Sequence, residues 1–366
     1  MVCISTEPPE RYSFAAGPAM LPGSVLAQIS EELPNWNRSG FSLLEQPFTS
    51  AAFKQLMAET EQDLRNLLTI PRNYRVLFVQ GGASAQFGLV PLNLLRPGQS
   101  ADYLESGHWA RKAIIEARRH APVKIIASGS ATNFTAVPAT EVWQCNPNAG
   151  YCHITSNETG NGLQLAHFPE LSVPLVADMT SDFLTRPIPV DRFGLIYTSA
   201  QKNLGVAGLC LLIVRDDLLR PPRPCLPSAL SYAVQAEHQS RFNTPPTFAL
   251  YVAKLMLRWI NDQGGIAAMA AAADSKSRRL YACIDHSDLY HCQQPVEDRS
   301  KVNVCFQLRD PRLLPTFLTE AAHRGLDHLV GHPAVGGIRA SLYNAMPFAG
   351  VNRLADFMVQ FERTHG

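Results

Sequence analysis

The chain has 366 residues, of which 46% are hydrophobic and 17% are charged, and its formal net charge at pH 7 is +1. This composition excludes intrinsic disorder, and a net charge so close to zero gives no long-range attraction for nucleic acid or anionic lipid. One dense basic cluster, at 276–279, falls in a helical pattern and is typical of a solvent-exposed helix face. The length is sufficient for one large domain and one smaller one.

The features that relate to targeting and redox state predict a cytoplasmic protein. The N-terminal stretch carries Glu7, Glu10 and Arg11 and lacks the apolar segment of a signal peptide. No stretch approaches the ~18 consecutive apolar residues of a membrane span. The eight cysteines have neither C-x-x-C nor zinc-like spacing, so we expect reduced thiols and no metal site.

Apolar periodicity alternates between helix and strand along the first 260 residues. Thr49 and Ser50 stand at the N-cap position of one helix, and a glycine turn at 81–84 leads from a strand into another. The predicted elements are, in chain order, helices at 25–33 and 53–68, a strand at 76–79, a helix from 85, a strand at 101–104, a helix at 109–120, strands at 123–127 and ending at 178, strands at 194–197 and 206–214, and a helix at 244–260.

This alternation predicts an α/β fold with a mostly parallel sheet between two layers of helices, because parallel strands need crossover connections. Gly264 and Gly265 interrupt the helical pattern and indicate a domain boundary. We therefore expect a large domain at 17–262. A smaller α+β domain would be formed by 1–16 and 263–366.

Three features that could take part in binding or catalysis fall at the carboxyl ends of predicted strands, where α/β sheets bind ligands. They are the glycine turn at 81–84, Asp178, and Lys202, which lies between two apolar strands. Each alone has an ordinary explanation: a strand-to-helix turn, a helix cap, and a lysine that reaches solvent. Together they match pyridoxal 5'-phosphate (PLP), since a lysine can form an imine with its aldehyde, an acid can protonate its ring nitrogen, and a helix start can bind its phosphate.

Six stretches support this interpretation through a family resemblance. The stretches are FAAGPAMLP at 14–22, GGASAQF at 81–87, SNET at 156–159, AQKNLGVAGL at 200–209, FNTPPTF at 242–248 and VGGIRASLYNAMP at 335–347. In these stretches, and almost from end to end, the chain resembles the phosphoserine aminotransferase family, class V members of the fold-type I PLP-dependent enzymes. The resemblance implies transamination between an amino acid and a 2-oxo acid.

The resemblance also implies a role for individual residues. Lys202 would form the imine and Asp178 would hold the pyridine nitrogen, while Arg339 would bind the substrate α-carboxylate. Trp109 would stack on the cofactor ring, the alternative being an ordinary core tryptophan. The remaining implied contacts are backbone N–H groups of Ala83 and Ser84 to the phosphate, hydrogen bonds from Thr159 and Gln201, and contacts from Asn243 and Thr244 to the cofactor of a neighbouring subunit. The last pair implies a homodimer with shared active sites.

The sequence departs from the family pattern where the family binds the distal part of its substrate. The His-Arg pair of E-x-S-H-R-x-x-x-F falls on Phe48 and Thr49, and the arginine of G-G-G-R-x-Q-F falls on Ser84. In the block G-H-R-x-V-G-G-x-R, His332 is kept and the next position is Pro333. At about 1.5–3 kcal/mol for each charge-assisted hydrogen bond, losing two or three would weaken binding of phosphoserine by about a hundred-fold to a million-fold.

We therefore expect an aminotransferase with altered substrate specificity, and His332, Phe48 and Thr49 are candidate specificity residues. Three alternatives remain. Nearby cations, such as Arg38, Lys54 or Lys301, could restore phosphoserine binding. The site could catalyse a non-transaminating reaction of a specialised pathway, or the chain could be a catalytically inactive homologue. A nicotinamide-dependent dehydrogenase is disfavoured because the glycine turn lacks the G-x-G-x-x-G spacing.

Overall fold

The computed structural model of the protein describes residues 11–366, so Cys3, Glu7, Glu10 and the first part of the predicted small domain lie outside the described residues. Within this range the chain forms nine α-helices and fourteen strands. The helices are α1 (Gly23–Glu32), α2 (Ala51–Leu68), α3 (Ala83–Leu94), α4 (His108–Ala117), α5 (Tyr232–Glu237), α6 (Thr247–Asp262), α7 (Gly265–Asp285), α8 (Leu314–His323) and α9 (Phe348–His365).

The strands fall into one large sheet and three small ones. They are β1 (Tyr12–Ser13), β2 (Tyr74–Gln80), β3 (Ala101–Glu105), β4 (Val123–Ser128), β5 (Cys152–Thr155), β6 (Asn157–Glu158), β7 (Leu163–Gln164), β8 (Leu175–Asp178), β9 (Phe193–Ser199), β10 (Leu209–Arg215), β11 (Tyr290–His291), β12 (Asn303–Leu308), β13 (Leu326–Asp327) and β14 (Ile338–Ser341). Each strand and helix predicted from periodicity has a counterpart here, with ends that differ by a few residues.

The large sheet has seven strands in the order β2-β10-β9-β8-β5-β3-β4. Four of its six pairings are parallel, which confirms the mostly parallel sheet. The pairings of β10 with β9 and β2 are antiparallel. The reason is the connection: residues 200–208 form a short turn rather than a crossover, and a short connection joins antiparallel strands. Lys202 lies in this turn.

Strand β5, in the middle of the sheet, was not predicted from the sequence. Its four residues are all buried, although His153 and Thr155 are polar. The fold accommodates His153 because its Nε2 lies 2.8 Å from the hydroxyl of Tyr197 on β9. Burial lowers the pKa of His153 to about 3, so its imidazole is neutral. The polar residues interrupt the apolar run that marks the neighbouring strands.

Helix α2 shows how local sequence fixes an element. The Ser50 side chain accepts a hydrogen bond from the backbone N–H of Phe53, and Ser50 is therefore the N-cap of the two predicted candidates. Phe53, Leu56 and Leu64 lie on the face that is buried in the core of the large sheet. Thr49 is exposed one residue before the cap.

The C-terminal part of the chain forms a second layer with its own core. Strands β11, β12 and β14 form an antiparallel sheet, and α7, α8 and α9 contribute to a cluster of buried aromatic residues that includes Phe306, Phe317 and Phe361. Tyr12 and Phe14, near the start of the described chain, join this cluster. The fold is thus the α/β architecture predicted from the sequence. The division at 16/17 and 262/263 stays a prediction.

No helix in residues 11–366 is long and apolar enough to span a membrane. Within the same residues there is no cluster of three or more His, Cys, Asp or Glu side chains that could hold a metal ion.

Candidate active site

A cavity of about 310 Å³ lies where the carboxyl ends of β5, β8 and β9 meet the N-termini of α3 and α4. Arg339 of β14 and His332, from the loop before it, close the cavity from the C-terminal layer. The volume falls in the range of small-molecule sites. The cavity therefore lies where α/β sheets bind ligands, and both layers of the protein contribute to it.

Lys202 extends into this cavity from the turn between β9 and β10. Its Nζ donates a hydrogen bond of 3.0 Å to the Thr159 hydroxyl and lies 5.9 Å from the centre of the Trp109 ring. Burial lowers the pKa of Lys202 to about 8, and the nearby Asp178 carboxylate opposes this effect. A Cβ added at Gly17, whose φ is +139°, would lie 3.5 Å from Cγ of Lys202, so Gly17 is a close neighbour of the lysine side chain. Lys202 is thus a confined amine that loses its proton readily.

Asp178 is the last residue of β8 and is 5% exposed. Its Oδ1 accepts a hydrogen bond of 2.9 Å from the backbone N–H of Thr180. Burial raises the pKa of the Asp178 carboxyl, and the hydrogen bonds from Thr180 act against this shift. The sequence places Asp178 and Lys202 24 residues apart, and the fold brings both to one cavity.

The glycine turn after β2 leads into α3 with Gly81 at φ of +103°, a conformation that favours glycine. Gly82 is the N-cap and has no side chain to accept the first N–H groups of the helix. Ala83 and Ser84 follow and line the cavity, as does Gln201 from the turn that holds Lys202. An uncapped helix start of this kind is suited to bind an anion.

Trp109 lies in the first turn of α4 and lines the cavity from the side of α4. Its Nε1 is buried without a hydrogen-bond partner in the described structure. Its ring meets the His332 ring edge to face, with centroids 6.3 Å apart. An unpartnered indole N–H in a cavity suits a tryptophan that contacts a ligand better than one that only fills a core.

Arg339 and His332 bring the C-terminal layer to the same cavity. The Nε of Arg339 is buried and has no partner in the described residues, so it has capacity for an anion. His332 accepts a hydrogen bond at Nδ1 from the backbone N–H of Ala334, and its ring lies 4.2 Å from that of His108. Burial, together with His108 and Arg339, lowers the pKa of His332, which favours the neutral ring.

Four residues proposed from the sequence lie away from this cavity. Phe48 packs against the core of the large sheet, and Thr49 is exposed. Asn243 accepts a hydrogen bond from Gln235, and the carbonyl of Thr244 accepts one from Gln80. The single chain therefore does not bring Phe48, Thr49, Asn243 or Thr244 to its own cavity.

Several cavity residues were not predicted from the sequence. Thr155 and Asn157 end β5 and begin β6, and Thr180 and Ser181 follow Asp178. The Thr155 hydroxyl is buried without a partner in the described part of the chain, as expected of a group that faces a ligand. Asn157 lies in the stretch SNET, which carried a prediction for Thr159 alone, and Thr155 was missed together with β5.

These features fit PLP. Lys202 would hold the cofactor covalently, Asp178 would face its ring nitrogen, Trp109 would cover its ring, and the start of α3 would hold its phosphate. Thr155 and Trp109 both line the cavity, and each has a buried polar atom, the hydroxyl and Nε1 respectively, without a hydrogen-bond partner in the described residues. The fold and the site thus define a PLP-dependent enzyme.

Comparison with known proteins gives the family. The model of aminotransferase class V matches residues 11–354, and the chain belongs to this family of PLP-dependent aminotransferases. It is 49% identical to the phosphoserine aminotransferase of Laribacter hongkongensis over 97% of this chain and 99% of that protein. The structure of phosphoserine aminotransferase from Bacillus circulans subsp. alkalophilus superposes with a TM-score of 0.95 at 40% identity, covering 97% of this chain and 99% of that one.

A second solved structure bears directly on the cofactor. It is described as radiation damage of the Schiff base in a phosphoserine aminotransferase, and it matches with the same TM-score of 0.95 and 40% identity over 97% of this chain and 99% of that chain. The prediction of a PLP-dependent aminotransferase that resembles phosphoserine aminotransferase is confirmed. Its substrates are an amino acid and a 2-oxo acid.

Proposed function

We propose that this aminotransferase binds the α-carboxylate of its amino-acid substrate with Arg339 and accepts a side chain that is less anionic than that of phosphoserine. The guanidinium of Arg339 can make two parallel hydrogen bonds to a carboxylate, which fixes the orientation of the substrate as well as its affinity. The site would then serve the same reaction as its relatives on a different amino acid.

Three residues of the cavity, Lys202, Asp178 and Thr159, have separate roles in the proposed reaction. Bound PLP supplies an electrophilic aldehyde carbon and a ring that withdraws electrons from the substrate Cα. Lys202 would hold the cofactor, and its Nζ, when free, would be the base that takes the proton from the substrate Cα. Asp178 would keep the ring nitrogen of the cofactor protonated. Thr159, which accepts a hydrogen bond from Lys202 Nζ, orients that amine.

The residues that line the cavity support the proposal that the substrate side chain is less anionic than that of phosphoserine. Among the described residues that line the cavity, the lysine and arginine side chains are those of Lys202 and Arg339. Lys202 is committed to the cofactor and Arg339 to one carboxylate, which leaves His332 for the distal group. The pKa of His332 is lowered by burial, so its ring offers a neutral hydrogen bond rather than a positive charge.

Phosphoserine is the second candidate substrate, and one observation favours it. The amine of Lys112 lies 5.0 Å from the centre of the Trp109 ring. Burial lowers the pKa of His108, and the charges of Lys112 and Arg111 lower it further, which places both cations near the cavity. These two cations of α4 could compensate for the arginines that are absent at Ser84 and Pro333. The names of the relatives point to the same substrate.

Steady-state kinetics with a panel of amino donors distinguishes the two candidates. We expect kcat/KM for phosphoserine with 2-oxoglutarate to lie at least about a hundred-fold below that for the best donor with an uncharged side chain. Efficient turnover of phosphoserine would overturn the proposal on specificity and leave the aminotransferase activity intact. Ammonia or CO2 released without a 2-oxo acid acceptor would instead indicate a non-transaminating reaction.

Gain of function offers a matched test of the same proposal. Ser84→Arg and Pro333→Arg restore the cations that the family pattern places there, and we expect the pair to raise kcat/KM for phosphoserine by about tenfold or more. Ser130→Arg, at an exposed position outside the cavity, adds one arginine and is the control for each single substitution; it should leave kcat/KM for phosphoserine unchanged.

Two further parts of the proposal concern assembly and location. A homodimer with shared sites is supported by the position of Asn243 and Thr244 away from the cavity of their own chain. A cytoplasmic location is supported by the seven cysteines of the described chain, all of which are unpaired. Size-exclusion chromatography with light scattering tests the dimer, since a monomeric holoenzyme would contradict it.

A further inference from the structure

A buried carboxylate beside the cavity has no role in the reaction described above. Glu158, the second residue of β6, is 1% exposed, and its side chain reaches the start of α4. Its Oε2 accepts a hydrogen bond of 2.9 Å from the backbone N–H of Trp109. Its Oε1 accepts bonds from the N–H of Ala110 at 2.9 Å and from the Ser106 hydroxyl at 3.1 Å. A buried carboxylate that accepts three hydrogen bonds is costly to remove, because its donors are left without a partner.

Glu158 replaces a cap that α4 does not have. The N-cap residue of α4 is Gly107, which has no side chain to accept a hydrogen bond from the first turn. Glu158, 49 positions after Trp109 in the sequence, supplies that acceptor instead. Burial raises the pKa of Glu158 to about 7, and the hydrogen bonds from Ala110, Trp109 and Ser106 act against this shift. In its ionised form the carboxylate places a negative charge at the positive end of the helix dipole. The first turn of α4, which carries Trp109, is thus fixed from outside the helix.

Glycine at position 107 is required by this contact. Its φ of 174° is ordinary extended backbone, so conformation does not demand glycine there. A Cβ at this position would come within 2.6 Å of the Glu158 carboxyl carbon, closer than such atoms approach in proteins. A residue with a capping side chain at position 107 would therefore clash with the Glu158 carboxylate, and glycine leaves room for it.

The other side of Glu158 fixes Thr159, the residue that accepts the hydrogen bond from Lys202. The backbone carbonyl of Glu158 accepts hydrogen bonds from the N–H groups of Asn161 and Gly162, which closes the turn that contains Thr159. The Asn161 side chain adds a second link, since its Oδ1 accepts a bond of 3.4 Å from the N–H of His108. One residue therefore joins the turn that orients Lys202 to the helix that carries Trp109.

We propose that Glu158 is a positioning residue of the active site, which holds the Trp109 indole over the cofactor and couples its position to the Thr159–Lys202 contact. It does not touch the cavity itself and acts through Trp109 and Thr159. This inference rests on the proposed cofactor contacts of Trp109 and Lys202, but not on the identity of the substrate.

Glu158→Gln is the direct test, because the amide has the same size and presents an N–H group to donors. We expect the dissociation constant for PLP to rise by about tenfold or more, and the visible circular dichroism of the bound cofactor to change. Amide hydrogen exchange of 106–112 should accelerate in the cofactor-free protein as well. Glu116→Gln, on the same helix with its carboxylate paired to Arg119, is the matched control and should change none of these.

A double-mutant cycle separates positioning from a merely structural role. If Glu158 acts in part by placing the indole, Glu158→Gln should weaken PLP binding by a smaller factor in a Trp109→Ala background than in the wild type, and the part that remains is the effect through Thr159. Additive losses would overturn the proposal. So would a PLP dissociation constant for Glu158→Gln within about twofold of the wild-type value.

Gly107→Ala keeps the proposal testable if Glu158→Gln does not fold. The added Cβ displaces the carboxylate without removing it. We expect the same loss of PLP affinity and the same faster exchange at 106–112, and unchanged values for both would contradict the inference. Because neither readout requires turnover, failure here is distinguishable from failure of the proposed substrate specificity.

Discussion

At the scale of single residues, the protonation state of Lys202 decides whether the site can bind an aldehyde. A lysine amine in water has a pKa near 10.5, while burial lowers the pKa of Lys202 to about 8. Because the neutral amine is the nucleophile, we expect the rate at which the cofactor-free protein captures PLP to rise with pH up to about 8 and to level off above it. Stopped-flow absorbance measures this rate. A rate that continues to rise toward pH 10 would contradict the confinement of this amine.

Arg339 offers a second prediction at this scale. Its Nε is buried without a partner in the described residues, so a substrate carboxylate would find the guanidinium uncompensated. We expect Arg339→Ala to raise KM for the amino donor by about a hundred-fold or more, since two charge-assisted hydrogen bonds are lost. Arg339→Lys, which keeps the charge but not the paired geometry, should recover only part of the loss. PLP binding should change little, and a selective loss of PLP affinity would assign Arg339 to the cofactor instead.

At the scale of elements, a buried lysine joins α7 to the segment that follows β14. Lys276 is 3% exposed, and its Nζ donates to the carbonyl groups of Tyr343 and Met346. The sequence pattern placed 276–279 on a solvent-exposed helix face, which is wrong for Lys276 and Ser277, since both are buried. Segment 343–346 follows β14, so this contact joins α7 to the chain just after the strand that carries Arg339.

Lys276→Met tests that contact. The change leaves two carbonyl groups without their donor, and we expect the free energy of unfolding to fall by about 2 kcal/mol. Burial lowers the pKa of Lys276 to about 8, so between pH 8 and 10.5 the unfolded chain binds more protons at this residue than the folded chain. The stability of the wild type relative to Lys276→Met should therefore rise with pH across that window. Denaturant titrations at several pH values measure the difference, and a difference that is constant with pH would contradict burial of this amine.

At the scale of the whole molecule, the proposed dimer makes each site depend on two chains. We expect Lys202→Ala chains and chains with Asn243→Ala and Thr244→Ala to bind PLP poorly as separate homodimers. Mixed dimers should recover one complete site, with Lys202 from one chain and the Asn-Thr pair from the other. PLP titration of co-refolded mixtures checks this, and no recovery in a verified heterodimer would contradict sharing.

How much could be predicted from the sequence depended on how far each signal extends along the chain. Strands β9 and β10 are continuous apolar runs, and Lys202 stands out between them, so local pattern found both the fold class and the central residue. Strand β5 was missed because the polar His153 is buried through a partner 44 residues away. Glu158 was missed for the same reason, since the N–H groups that donate hydrogen bonds to it belong to a helix about 50 residues earlier in the chain. Contacts between distant segments leave no periodic trace in the sequence.

The covalent attachment of the cofactor at Lys202 is the central claim, and mass spectrometry of the borohydride-reduced holoenzyme tests it most directly. We expect one proteolytic peptide, the one that contains Lys202, to gain the mass of a reduced pyridoxyl phosphate group, and Lys202→Ala to abolish that gain. A label on another lysine, or no label on a protein that retains aminotransferase activity, would contradict the account.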